Sequence, residues 1–127
     1  MVKAMEAARK AARRAQEATY EGLCTIYEYR DVTDEKTKLS SEEEVAVIED
    51  QPCKLSFEKL NSAIQTETAA TAVQGIKLFL APEIVVKSNS KIVVTQNGIT
   101  NEYSASGVPA VYSTHQEIPL ELFRGWA

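Results

Sequence analysis

Between Pro52 and Pro82 two short alternating runs enclose a long stretch with no period, and few small folds can accommodate that combination. Cys53-Lys54-Leu55-Ser56-Phe57 and Ile76-Lys77-Leu78-Phe79-Leu80 each alternate apolar with polar residues, the pattern of a strand buried on one face. Leu60 to Gly75 lies between them with a single charge, Glu67, amid Ala, Ser, Thr, Asn and Gln. Structureless connections of that length are uncommon inside compact domains and are usually either functional or disordered. A plain floppy hairpin connection is the alternative.

Other strands follow from the same alternation. Leu23 to Arg30 is rich in β-branched and aromatic residues, with Cys24 and Ile26 on one face and Thr25, Tyr27 and Tyr29 on the other. Asp31 to Ser41 is charged and carries turn formers, so it reads as a surface loop. Glu44 to Asp50 returns as a strand through Val45 to Ile48, bracketed by acids that ordinarily form a solvated rim. Pro82 stops the strand that begins at Ile76, and Ile84 to Val86 starts a further short run. Lys91 to Gln96 and Ile99 to Ser104 flank Asn97-Gly98, the strongest short hairpin signal, because a type I′ turn needs positive φ at both central residues. His115 to Leu122 closes the series with Ile118, Leu120 and Leu122 inward and His115, Glu117 and Glu121 outward. Pro119 on the outward side predicts an edge strand or a bulge. In the tail, Phe123 and Trp126 are read as a plug over the barrel mouth or as a dock for a partner.

Residues 2 to 19 predict a helix. Ala4, Ala8, Ala11, Ala15 and Ala18 fall at helical spacing, charged residues fill the other side, and Gly22 follows soon enough to end it. Through Thr19 there are five basic and two acidic residues; the remainder has nine basic and sixteen acidic. The helix is thus net +3 and the rest net −7, an electric dipole if the helix projects. A solvated surface helix, a nucleic-acid arm and a mitochondrial leader all fit an Ala- and Arg-rich start; Glu6, Glu17 and the lack of serine argue against the leader.

The pattern is a mainly β, single-domain chain over 1–127: helix 1–19, a small antiparallel barrel of six or seven strands over 22–122 with the loop 60–75 inserted, and a tail 123–127. With 127 residues, 44% of them hydrophobic, there is enough for one modest core. No apolar run of membrane-spanning length and no secretory signal is seen, so the cytosol is expected, with Cys24 and Cys53 reduced in the core. A disulfide would require their strands to be neighbours.

Chemistry-bearing constellations are sparse. One histidine, His115, and two cysteines outside a CxxC pair assemble no zinc set, and neither a nucleophile-base pair nor a glycine-rich phosphate loop is evident. The expectation is a non-enzyme without metal or cofactor. An oligonucleotide-binding barrel is the rival: Tyr27, Tyr29, Tyr103 and Tyr112 could stack bases, but the barrel's net negative charge opposes phosphate.

Taken together, Tyr20 to Tyr29, Glu49 to Phe57, Lys77 to Pro82, Lys91 to Gly98 and Val111 to Leu122 resemble, in order and spacing, the head-closure (stopper, head-tail joining) proteins of long-tailed bacteriophages and prophages. The likeness runs from Tyr20 to Leu122, with Ser88-Asn89-Ser90 standing where that pattern leads one to expect a glycine. It implies a virion protein at the head-tail interface, assembled in the bacterial cytoplasm. Its copies would form a ring, a dodecamer by that analogy, below the portal and adaptor and above the tail protein. The ring would retain packaged double-stranded DNA without reading its sequence; a tail terminator in the same neck is a further alternative.

The resemblance also implies that the loop closes the channel, through Asn61, Thr66, Glu67, Thr68, Thr71, Val73, Gln74 and Gly75. Near-neutrality suits that role, because many like charges converging on one axis would repel. Small residues permit close approach, Thr66, Thr68, Thr71 and Val73 favour extended pairing between copies, and one Glu67 per chain would make an acidic collar. Candidate interface residues are Ala4, Ala8, Ala11, Arg13, Arg14 and Ala15 on the helix, Glu42, Glu43 and Glu44 on the acidic strand, and Phe123 and Trp126 in the tail.

Overall fold

The computed structural model describes residues 2–59 and 74–126. Helix α1 (Val2–Glu17) precedes seven strands: β1 (Gly22–Thr33), β2 (Ser40–Lys59), β3 (Gln74–Leu80), β4 (Lys91–Gln96), β5 (Ile99–Ala105), β6 (Ala110–Val111) and β7 (Gln116–Leu122). All pairings are antiparallel, and the order β3-β2-β1-β4-β5-β7 is closed by β3 pairing with β7. Six strands therefore make a closed barrel, with β6 pairing with β7 on the edge it shares with β5, past a break after Ala105. Closure leaves the core strands without free edges.

The barrel fills by strict alternation. Cys24 and Ile26 of β1, Leu78 and Leu80 of β3, Ile92 and Val94 of β4, Tyr103 and Ala105 of β5, and Ile118 and Leu120 of β7 are all buried. Asn97 and Gly98 have φ of 53° and 76°, as the β4-β5 turn requires. Asn89 also has positive φ, 67°, at the turn where the sequence pattern led us to expect glycine. Asparagine tolerates that region, which explains why the turn survives without it.

Several boundaries differ from the sequence expectation. The runs 44–50 and 53–57 are one strand, β2, because Asp50 absorbs an extra residue in a bulge instead of ending the strand. Its φ is 50° and the register with β1 shifts between Cys24 and Ile26. A second shift between Ile26 and Tyr27 breaks the alternation of Val45 to Ile48, all four of which are half-buried. Pro52 is tolerated inside β2 because β3 pairs from Lys54 onward and leaves that side open. The expected surface loop at 31–41 is largely ladder, since β1 and β2 pair out to Thr33 and Ser40. Ile84 to Val86 forms no strand; Val86 instead drops into the core.

Pro119 is not on an edge. Lys77 pairs with it on one side; on the other it lies opposite the break between β5 and β6, where Ser106 N–H donates to its carbonyl (2.9 Å). Gly107 passes close to its ring, and a Cβ there would come within 3.2 Å of it. Gln116 shares the inward parity of Ile118 and is 1% exposed. Its amide donates to the carbonyls of Ala81 (2.8 Å) and Ile84 (2.6 Å), strapping the β3-β4 connection to the barrel.

Cys24 and Cys53 lie on neighbouring strands, both buried and free. The hydrogen bond its S–H donates to Cys53, then burial, pushes the Cys24 thiol far up, so it stays protonated.

Candidate functional site

The two walls of the inserted segment reach beyond the rest of the barrel. β2 and β3 stay paired from Lys54↔Phe79 out to Lys59↔Gln74. Their outer neighbours stop sooner, β1 at Gly22↔Cys53 and β7 at Ile76↔Leu120. Gln74 and Gly75, expected in the loop, therefore belong to β3: the ladder persists two residues further than the apolar run that announced it. Asn61, Thr66, Glu67, Thr68, Thr71 and Val73 fall outside the described residues.

Where β1 has not yet begun, the Gln96 side chain takes over its place. Its Oε1 accepts from the Leu55 N–H (2.9 Å) and its Nε2 donates to the Leu55 carbonyl (3.4 Å). The stem is braced on its other side by Lys77, which lies between Glu117 (3.6 Å) and Glu58 (4.0 Å) across three strands. Beside the stem, Phe57 and Ile99 are more than half exposed and line a small cleft of about 150 Å³ with Leu55, Gln96 and Tyr103.

At the other end of β1 the tail is clamped. Trp126 stacks on Tyr29 at 5.1 Å, meets Phe123 edge-on at 5.2 Å, and donates its Nε1–H to Glu44 (3.3 Å). Lys91 bridges Glu44 (2.8 Å) and Glu102 (2.9 Å) and sits over the Tyr27 and Phe123 rings. The two carboxylates raise the Lys91 pKa. Tyr27 and Tyr29 lie opposite in parity to buried Cys24 and Ile26, so the tail packs along the outside of the barrel and does not plug its mouth. A cleft of about 520 Å³ remains between this tail, the 87–90 turn and Glu28–Arg30. Its cations are partly spent internally, since Arg30 (2.7 Å) and Lys87 (3.7 Å) both face Glu28.

Helix α1 is anchored at its last turns. Arg13 bonds Glu17 (3.0 Å) within the helix and Glu83 on the barrel, a contact that lowers the Glu83 pKa and raises that of Arg13. Ala4, Ala8, Ala11, Ala15 and Arg14 are exposed. Glu42 and Glu43 are exposed on β2.

His115 is covered rather than solvated, with 15% of its side chain exposed. Tyr112 stacks on it at 5.0 Å, Phe79 tilts against it at 5.4 Å, and its nitrogens face Thr114 and Glu117, each at 2.9 Å. Hydroxyl, imidazole and carboxylate thus line up, but neither cleft includes them. Among the described residues no group of His, Cys, Asp and Glu is arranged to hold a metal ion, and no helix is long and apolar enough to cross a membrane. The stacking faces proposed for nucleic acid are largely occupied: Tyr103 is buried, Tyr27 lies under Lys91, Tyr29 under Trp126 and Tyr112 against His115.

No family model matches this chain. No curated protein matches it either. Among solved structures, the phage-like element PBSX protein xkdH from Bacillus subtilis is similar, with a TM-score of 0.47, 12% identity, and coverage of 82% of this chain and 96% of that one. At that identity and score the likeness says nothing about what this chain does.

Proposed function

We propose that the chain is a non-enzymatic structural subunit of a tailed-phage neck. Copies form a ring between portal or adaptor and tail, and segment 60–73 closes the DNA channel. The observation that carries this reading is the stem: β2 and β3, between which that segment is inserted, run on as a braced pair past their neighbours to Lys59 and Gln74. A closed barrel with a rigid two-stranded root can bear load on an inserted segment without the load reaching its core. The head-closure resemblance of Tyr20 to Leu122 supplies the rest, and the near-neutral composition of 60–73, with Glu67 its one charge, suits convergence of many copies.

Deletion of residues 61–73 tests it. The expected result is a barrel that unfolds at the wild-type temperature and particles that package DNA but do not hold it. Particles that retain DNA at wild-type levels would falsify the channel-closing role. Electron microscopy of particles assembled with the chain separates closure, which gives a plugged ring, from tail termination, which gives an open tube.

A further inference from the structure

The β1-β2 ribbon beyond Tyr29 carries an unfavourable feature that nothing among the described residues offsets. Asp31 on β1 stands directly opposite Glu42 on β2, both exposed, and among the described residues no cation pairs with either. Like charges in directly opposed positions destabilise a ladder. The nearest cation on the ribbon, Arg30, is turned to Glu28 and leaves its cross-strand partner Glu43 with Ser41 as its hydrogen-bond donor. Between Glu28 and Asp50 the chain has nine acidic and three basic residues.

Helix α1 has the complementary excess. At 100° per residue Lys3, Lys10 and Arg14 fall along one ridge, bordering the face of Ala4, Ala8, Ala11 and Ala15. The alanine face lies opposite Arg13, which is tied to Glu83, and the ridge falls between the two, about 80° round the helix from Arg13. Residues 3–12 are all exposed and make no hydrogen bond or ion pair to the barrel among the described residues. An isolated helix of this length is marginal in water and gains from a partner. The helix does not serve its own ribbon in this structure: its ion pair to the barrel is Arg13 with Glu83, and among the described residues no hydrogen bond or ion pair joins it to Asp31 or Glu42.

We propose that α1 of one copy docks across the Asp31/Glu42 face of the β1-β2 ribbon of a second copy. The Lys10-Arg14 pair, about 6 Å apart along the helix axis, sets cations between the opposed carboxylates. The alanine face, without bulky side chains, lets the ribbon approach closely. Donor and acceptor surfaces differ and sit at opposite ends of β1, so the contact is head-to-tail and extends into a ring or a filament. The pairing rests on the reading that copies assemble, and names the surfaces that join them.

Charge reversal on each side tests it, using full-length chains and light scattering in low salt at millimolar protein. The unmodified chain assembles, and high salt disperses it. Lys10→Glu with Arg14→Glu, and separately Asp31→Lys with Glu42→Lys, each raise the concentration for half-assembly by about a hundredfold, with circular dichroism unchanged. An equimolar mixture of the two variants assembles again, because every junction in an alternating array is then complementary. Assembly indifferent to either reversal, or a mixture that stays apart, overturns the pairing and leaves the ring to other surfaces. An unmodified chain that stays monomeric overturns both the pairing and self-assembly, whatever the 61–73 deletion shows for DNA retention.

Discussion

β1 is one strand living in two environments. From Leu23 to Tyr27 it has β2 on one side and β4 on the other, and its inward residues Cys24 and Ile26 are 1% and 0% exposed. From Glu28 to Thr33 it has β2 alone, and Arg30, Asp31 and Thr33 are exposed. The backbone ladder is continuous, so hydrogen bonding does not distinguish the halves. What differs is whether a second neighbour and an opposite wall exist to take up apolar surface. A two-stranded ribbon has neither and is marginal by itself, which leaves its composition free to serve contacts outside the barrel.

The sharpest way to break this comparison is to truncate one β-branched apolar side chain to alanine in each half. Ile26→Ala opens a cavity in the closed barrel and is expected to cost about 2–5 kcal/mol by urea unfolding. Val32→Ala in the ribbon is expected to cost under about 0.5 kcal/mol. Comparable losses at both positions would mean that the ribbon is part of the core after all.

Gln116 tests whether a buried side-chain amide behaves as core or as strap. Gln116→Ala leaves the carbonyls of Ala81 and Ile84 without their donor, and a loss of about 1–3 kcal/mol is expected. If the loss comes from the strap, hydrogen exchange speeds up in 81–86 before it does in β4. Uniform acceleration would assign Gln116 to packing alone.

Much of the barrel was legible from period-two alternation and one Asn-Gly turn, because both are local rules that closure does not override. The junction near Asp50 was not, since an acid followed by Gln-Pro reads as a break. Nothing local shows that a bulge with positive φ would carry the strand on. Pro119 was legible only as a choice: its missing N–H signals an edge or a bulge, and the chain satisfies it with a gap between two partner strands. The stem was legible as two walls, but its extra length at Gln74 and Gly75 depends on pairing across the barrel. The tail's aromatics were visible as aromatics. Their target, Tyr29, lies nearly a hundred residues earlier, and no spacing rule reaches it.

That tail holds the ribbon at its base. Trp126→Ala removes the stack on Tyr29 and the contact with Phe123, for an expected loss of about 1 kcal/mol. Amides of Tyr29 to Asp31 should exchange faster while those of Cys24 to Ile26 hold. Equal acceleration in both halves of β1 would show that the clamp supports the whole strand and that the two environments are one.

The smallest effect has the opposite sign. Glu42→Gln removes one charge of the Asp31/Glu42 pair while keeping the side chain's length and its place in the ladder. Opposed like charges destabilise by a few tenths of a kcal/mol at an exposed site, so the variant should be more stable than the parent by about 0.3 kcal/mol in low salt. Screening should erase the gain in high salt, where the parent's carboxylates no longer feel each other. The same substitution at Glu58 serves as the control, because Glu58 faces Lys77 at 4.0 Å and gains nothing from losing its charge. A stabilisation shared by both variants would point to relief of the chain's overall negative charge. A stabilisation confined to Glu42 would show that the ribbon keeps an unfavourable local pair that its own fold does not require.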